Sequence, residues 1–183
     1  MKYHIHTIGC QMNMADSLRL ASELEKLGGA STDEIGEADV AVLNTCVVRQ
    51  SAEDRANGWL QRVGRLKNGD HAGLVVGLMG CLVGVKGNPK LARAFPQVDV
   101  FLPPSDPTAL LNCIADRNQL HVERVAVARR HAAQDGELTL PLAQRGRLAS
   151  AHVPVVYGCS HACTFCIIPF RRGVERSRPV DEI

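Results

Sequence analysis

Three cysteines in the last quarter of the chain have the residue type and spacing best suited to chemistry. Cys159, Cys163 and Cys166 form a C-x3-C-x2-C run in a chain of 183 residues. Soft thiolate ligands this close together favour an iron–sulfur cluster or zinc. A 4Fe-4S cluster normally takes four cysteines, so a site with three leaves one iron free to bind another molecule. Zinc with His161 as a fourth ligand is the alternative at this point.

Three further cysteines are distant in sequence but share one structural context. Cys10, Cys46 and Cys81 each stand two or three residues after a predicted strand. Open parallel sheets bind ligands just beyond the carboxyl ends of their strands, so we expect these cysteines to gather along one edge. Cys113, the seventh, lies in the apolar pattern of a predicted helix and is expected to be a buried small hydrophobe.

The elements that must position these cysteines alternate between strands and helices. Asn13 is expected to cap the first helix. Because parallel neighbours require crossover connections, the alternation predicts an α/β fold, an open parallel sheet with helices on both faces. Apolar patterns predict strands at 3–8, 40–43, 74–78 and 98–102, with helices at 14–27, 52–63 and 105–117.

The chain is expected to contain two folded regions joined by a linker. Residues 1–117 form the predicted N-terminal domain, and residues 118–148 show no sustained period and are interpreted as a linker. A second domain is expected at 149–183. It opens with a strand at 153–157, which Pro154 places at an edge or a strand beginning.

The composition is that of a globular protein. Hydrophobic residues make up 45% and charged residues 22% of the chain, which excludes a disordered or fibrous protein. No apolar run approaches the roughly 20 residues that cross a bilayer, and the N-terminus lacks the pattern of a signal peptide. We therefore expect a cytoplasmic protein with no membrane contact. Reducing compartments keep thiols free, so the seven cysteines predict metal or redox chemistry.

Charge is distributed unevenly along the chain. Residues 1–110 have 11 basic and 12 acidic side chains, whereas residues 111–183 have 10 basic side chains, all arginine, and 7 acidic ones. The basic stretch near the end of the chain has two possible roles. It could attract RNA phosphates, or it could have a structural or cofactor-contacting role. This stretch comprises Arg171, Arg172, Arg176 and Arg178.

Five motifs taken in order resemble the methylthiotransferase family of radical S-adenosylmethionine enzymes. They span nearly the whole chain, and together they are far more specific than any one of them. The motifs are ThrIleGlyCysGlnMetAsn (7–13), AsnThrCysValValArg (44–49), GlyCysLeuVal (80–83), TyrGlyCysSerHisAlaCysThrPheCysIleIlePro (157–169) and ArgArgGlyValGluArgSerArgPro (171–179).

The resemblance implies two 4Fe-4S clusters and S-adenosylmethionine as cofactors. In the family scheme, the loop cluster donates an electron to S-adenosylmethionine and cleaves it to a deoxyadenosyl radical. The auxiliary cluster holds the sulfur or methylthio group to be transferred. Phe165 matches an aromatic position near the adenine of that cofactor, although plain packing of the loop is an alternative. The implied ligands are Cys159, Cys163 and Cys166 for the loop cluster, and Cys10, Cys46 and Cys81 for the auxiliary cluster.

The opening motif most resembles the branch of the family that methylthiolates carbon 2 of N6-dimethylallyladenosine beside the tRNA anticodon. This resemblance implies tRNA as the partner, an electron donor such as flavodoxin or ferredoxin, and a monomer. Methylthiolation of a ribosomal-protein aspartate or of threonylcarbamoyladenosine in tRNA is the alternative within the family. An iron–sulfur electron-transfer protein and a zinc-stabilised interaction module are the alternatives outside it.

The chain ends 17 residues after Cys166, so we expect only the first strand and the cluster loop of a truncated partial (β/α) barrel. The family's later barrel strands and its C-terminal RNA-binding domain have no counterpart in these residues. On this interpretation the chain is a fragment that binds two clusters without turnover.

Overall fold

The computed structural model describes residues 1–48, 50–117, 140–146 and 152–183. Seven strands and five helices are assigned in these ranges. The strands are β1 (Lys2–Ile8), β2 (Ala30–Ser31), β3 (Val40–Thr45), β4 (Val75–Gly80), β5 (Val100–Leu102), β6 (Val156–Tyr157) and β7 (Arg176–Ser177). The helices are α1 (Gln11–Lys26), α2 (Gln50–Asn68), α3 (Pro89–Ala94), α4 (Thr108–Arg117) and α5 (Ile168–Arg172).

The first five strands form one parallel sheet in the order β2-β1-β3-β4-β5. In this order the chain reverses its direction of winding between β1 and β3, which is the point where open sheets bind ligands. Ile8 pairs with Thr45, and Thr45 pairs with Gly80. The three central strands therefore end level with one another, and the residues that follow them emerge side by side.

Helices cover both faces of this sheet. On one face, Leu60 of α2 and Leu91 of α3 pack in a core with Leu43. On the other face, Leu24 of α1 and Leu111 of α4 belong to a second core. Strands covered on both faces have near-continuous apolar runs rather than alternating ones, and β3 and β4 are buried along their whole length. The predicted parallel α/β sheet is confirmed.

The carboxyl-terminal segment contains a second, two-stranded sheet. Strands β6 and β7 pair antiparallel, with Tyr157 opposite Arg176, and the loop with the three clustered cysteines and helix α5 lie between them. The backbone N–H of Val85 donates to the carbonyl of Arg171 over 3.0 Å. Arg19 of α1 donates to the Tyr157 hydroxyl over 3.4 Å. These contacts hold α5 and β6 against the N-terminal sheet.

Several boundaries differ from those predicted from the sequence. Strands β3 and β4 continue two residues further, to Thr45 and Gly80. In β3 this is possible because the polar side chains of the last two residues are hydrogen-bonded while buried. Helix α1 begins at Gln11 with Cys10 as its N-cap residue, so Asn13 contributes to the cap from the third helical position and is not the N-cap residue. Strand β6 has two residues rather than five, and the elements β2 and α3 were not predicted.

Most of the predicted linker, residues 118–148, lies outside the described residues. Within its described part, the backbone N–H of Leu142 donates to the Glu25 carboxylate over 2.8 Å. The division into residues 1–117, 118–148 and 149–183 remains a prediction. In the part of the chain that the structure covers, no helix is both long enough and apolar enough to cross a membrane.

Candidate metal centre at the sheet edge

Cys10, Cys46 and Cys81 line a single cavity at the carboxyl edge of the sheet. The cavity has a volume of about 410 Å³, within the range of small-molecule and cofactor pockets. Cys46 is 8% exposed and Cys81 is 2% exposed, whereas Cys10 faces solvent. The structure thus brings together three cysteines that are 36 and 35 residues apart in sequence, as the strand ends predicted.

Two buried asparagines hold the loops that carry these cysteines. The Asn13 amide donates to Asn44 Oδ1 over 2.9 Å and to the Thr45 carbonyl over 3.1 Å. Its Oδ1 accepts from the Cys10 backbone N–H over 3.3 Å and from the Cys10 thiol over 3.4 Å. A capping residue at the third helical position fixes the chain entering a helix in the same way. Asn13 therefore ties the Cys10 loop to the end of β3.

Asn44 completes this network from the side of β3. Its amide donates to the Asn13 carbonyl over 2.8 Å and to Ser17 Oγ over 3.0 Å. Both asparagines are fully buried, and a buried polar network stabilises a fold when its members are satisfied. The backbone N–H of Cys81 adds a bond of 2.9 Å to the Thr45 carbonyl. The three cysteine loops are thus linked by hydrogen bonds.

Gly80 is required where β4 passes closest to this network. Its φ is +104°, and a Cβ at this position would lie 2.5 Å from both Asn44 Oδ1 and the Thr45 carbonyl oxygen. Residues with a side chain rarely adopt this backbone conformation. Gly9 is similarly confined, because a Cβ there would collide with the Asn13 carboxamide.

Replacing Gly80 with alanine is expected to lower the free energy of unfolding by about 2 kcal/mol, because it combines backbone strain with overpacking. Urea unfolding followed by circular dichroism measures this change. Gly36→Ala is the matched control, since a Cβ at Gly36 meets nothing within 4 Å. Equal losses in the two variants would contradict the close approach assigned to Gly80.

A buried ion pair closes one side of the cavity. Arg172, the last residue of α5, lines the cavity and donates to Asp16 Oδ2 over 3.1 Å. The two side chains are 7% and 2% exposed. The Ser105 hydroxyl donates to the other oxygen of Asp16, Oδ1, over 2.6 Å. The backbone of Ser105 has a left-handed φ of +63°. The carboxyl-terminal segment is therefore fixed to the N-terminal sheet at the cysteine site itself.

Electrostatics at the cavity are set by burial and by this ion pair. Burial raises the pKa of the Cys81 thiol, and the neighbouring thiols of Cys46 and Cys10 raise it further. The Arg172 guanidinium opposes both effects through its charge and a hydrogen bond to Cys81. Burial also raises the pKa of the Asp16 carboxyl, and Arg172 opposes this shift. Arg172 thus carries the positive charge that favours thiolate at Cys81.

The second cysteine triplet lies on the loop between β6 and α5. Cys163 is exposed, and Cys159 and Cys166 are half-buried. The backbone N–H of Cys159 donates to the Gly173 carbonyl over 3.0 Å, and that of Cys166 donates to the Cys163 carbonyl over 3.2 Å. These bonds fix the two ends of the loop.

Phe165 projects from this loop with 91% of its surface exposed. The alternative that it packs against the loop is therefore wrong in this structure. A contact with a cofactor adenine remains a prediction.

The basic stretch near the end of the chain makes structural contacts at three of its four arginines. Besides the ion pair of Arg172, Arg178 is buried and donates to the Pro154 carbonyl over 3.0 Å. The guanidinium of Arg176 lies 5.3 Å from the centre of the Tyr157 ring, within cation–π range. Of the roles left open by the sequence for this basic stretch, these contacts support the structural one.

The residues that organise the cavity were not identified from the sequence as functional. Asn13 and Asn44 belong to the same motifs as Cys10 and Cys46. Their place in these motifs is the feature of the sequence that could have identified them. The sequence marks Arg172 only as a member of a basic stretch, and nothing in the sequence marks Asp16.

Cys113 is half-buried and packs against the second core, in partial agreement with its predicted role. Among the described residues, no group of three or more histidines, cysteines or carboxylates is arranged to hold a metal ion.

The N-terminal sheet with its three cysteines matches a known family. The family model described as "Uncharacterized protein family UPF0004" matches residues 2–103. This range extends from β1 to the residue after β5 and includes Cys10, Cys46 and Cys81. The chain belongs to this family.

Curated relatives extend the match over the rest of the chain. The chain is 41% identical over 183 residues to tRNA-2-methylthio-N(6)-dimethylallyladenosine synthase of Roseiflexus sp. (strain RS-1), covering 100% of this chain and 35% of the relative. It is 36% identical over 189 residues to the synthase of the same name from Agrobacterium fabrum (strain C58 / ATCC 33970), covering 100% of this chain and 41% of the relative. The resemblance to methylthiotransferases read from the motifs is confirmed. The chain spans well under half of the length of these relatives.

Proposed function

We propose that this chain provides the two cluster-binding sites of a methylthiotransferase that acts on carbon 2 of N6-dimethylallyladenosine in tRNA. The observation that carries this proposal is the convergence of Cys10, Cys46 and Cys81 on one cavity, which is also lined by the helix that follows the second cysteine loop. The names of the curated relatives supply the substrate. Ribosomal-protein methylthiolation has no comparable support among these relatives.

The donor set of the auxiliary site supports a 4Fe-4S cluster, although its three thiols are not arranged to hold a single metal ion. Its three thiols line one cavity of about 410 Å³, and thiolates are the ligands that such clusters take. The Asn13 and Asn44 network and the bond from the Cys81 N–H to the Thr45 carbonyl link the three loops. We propose Cys10, Cys46 and Cys81 as the auxiliary ligands and Cys159, Cys163 and Cys166 as the ligands of the second cluster.

The chemistry of the substrate explains why such sites are needed. Carbon 2 of adenine has a C–H bond without an acidic proton or a leaving group, so acid–base catalysis by side chains contributes little. Bound clusters with an open iron, together with S-adenosylmethionine, supply the one-electron chemistry for this bond. The chain's own residues position the ligands, limit water at Cys46 and Cys81, and place a positive charge beside Cys81.

The remaining assignments depend on the same proposal. Phe165, exposed on the second loop, is proposed to contact S-adenosylmethionine, and a flavodoxin or ferredoxin is proposed to deliver electrons. Because the substrate is tRNA, we place the protein in the cytoplasm, and we propose that it acts as a monomer.

Analysis of tRNA nucleosides from a strain lacking the gene for this chain tests the substrate. We expect the 2-methylthio derivative of N6-dimethylallyladenosine to disappear and its unmethylthiolated precursor to accumulate. Reintroducing the complete gene that encodes this chain should restore the derivative, and the same gene with Cys46→Ala should not. Unchanged tRNA together with loss of a methylthio group from a ribosomal protein would refute the proposed substrate.

A further inference from the structure

We propose that Arg172 is a positioning residue that raises the reduction potential of the auxiliary cluster by holding a positive charge beside Cys81. This inference rests on the proposed function, because it requires a cluster on Cys10, Cys46 and Cys81. It adds a role for a residue that is not itself a ligand.

The first support is the position of Arg172 in the fold. It lines the cavity that the three cysteines share, although it belongs to α5, which directly follows the Cys159–Cys166 loop. The neighbouring Arg171 lies against Gly84, with its Cδ 3.5 Å from the position of a Cβ on that glycine. One of two adjacent arginines is thus directed to the cysteine site.

The second support is the fixed orientation of the guanidinium. Asp16 accepts a hydrogen bond from Nη2 over 3.1 Å and is itself bonded to Ser105. A guanidinium has five N–H donors in a rigid fork, so a single bond to Asp16 leaves others available. Arg172 and Cys81 line the same cavity, so the guanidinium that Asp16 fixes is held at the cysteine site.

The third support is burial, which gives the charge its strength. The Arg172 side chain is only 7% exposed, and charges are screened less away from water. Arg55 also lines the cavity but is exposed to solvent, so its effect is weakened. Reduction of a cluster adds one negative charge, and the potential depends on nearby charge and on hydrogen bonds to the sulfurs. A buried arginine at Cys81 therefore favours the reduced form.

A redox titration of the auxiliary cluster tests this role. The full chain with Cys159, Cys163 and Cys166 replaced by alanine serves as the parent, so that only the auxiliary site can hold a cluster. The titration is followed by electron paramagnetic resonance after anaerobic reconstitution. Arg172→Met is expected to shift the ratio of reduced to oxidised cluster about tenfold toward the oxidised form, equivalent to about 59 mV for one electron.

Three further variants separate this effect from a loss of structure. Arg172→Lys keeps the charge and is expected to recover most of the potential, and Arg171→Met removes a neighbouring charge and is expected to change the potential by less than half as much. Asp16→Asn combined with Arg172→Met avoids leaving a buried carboxylate and is expected to keep a lowered potential. Full iron content with an unshifted potential in both Arg172→Met variants would overturn the inference alone. Absence of any cluster from the parent would overturn the proposed function as well.

Discussion

Arg172→Met is expected to lower the free energy of unfolding by about 3–5 kcal/mol, because it leaves the Asp16 carboxylate buried without its cation. Asp16 is 2% exposed in its side chain, and the Ser105 hydroxyl and the charge of Arg19 still act on it after the substitution. These two groups do not replace the charge and the hydrogen bond of Arg172 for a carboxylate that has lost its water. Urea unfolding of Arg172→Met and of the control Arg171→Met measures the difference, with a loss below about 1 kcal/mol expected for the control.

The double variant Asp16→Asn with Arg172→Met is expected to recover at least half of this loss, since it removes both charges.

The loss in Arg172→Met also depends on pH. Burial raises the pKa of Asp16 in the folded chain, so the folded state binds the proton more tightly than the unfolded state does. The free energy of unfolding therefore rises as pH falls from the pKa of Asp16 in the folded state toward its value of about 3.9 in the unfolded state. A loss that is independent of pH and unchanged in the double variant would contradict the buried pair.

Asn44→Ala is expected to cost about 3 kcal/mol of unfolding free energy and to reduce cluster loading at the auxiliary site. Asn44 connects Asn13 and Ser17 through three hydrogen bonds, all buried, and a buried group that loses its partner costs about 1–3 kcal/mol. The Cys10 loop loses one of the two bonds by which the Asn13 amide holds it to β3, and the bond to the Thr45 carbonyl remains. Unfolding by urea and iron content after anaerobic reconstitution measure the two effects.

Asn112→Ala is the matched control for Asn44→Ala. Asn112 lies on α4, and within the described residues its Oδ1 accepts no hydrogen bond. We expect a change within about 1 kcal/mol and unaltered iron content. Comparable losses of iron in both variants would show that Asn44 acts through general stability rather than through the cysteine loops.

The sheet could be predicted because its signals are local. Runs of apolar residues at β3 and β4 are typical of strands buried on both faces, and Ala52, Ala56, Leu60 and Val63 mark the buried face of α2 as the spacing predicted. The convergence of Cys10, Cys46 and Cys81 followed from the parallel sheet, since each comes directly after a strand. Register and strand order were not needed for this conclusion.

The residues that support the site could not be predicted in the same way, because their partners are distant in sequence. Asn44 and Thr45 are polar, which ended the predicted strand at Leu43, yet they extend β3 because Asn13 and other partners satisfy them. Arg172 and Asp16 pair across 156 residues. Only the packing of α5 against the sheet brings their charges together, and no local pattern records it.

Iron and acid-labile sulfide per chain after anaerobic reconstitution test the central claim of two three-cysteine cluster sites most directly. The unaltered chain and the control Cys113→Ala should each bind about eight iron atoms, the content of two 4Fe-4S clusters. Replacing Cys10, Cys46 and Cys81 with alanine should leave about four, and so should replacing Cys159, Cys163 and Cys166. Full iron content without the first triplet, or stoichiometric zinc in place of iron, would contradict the account.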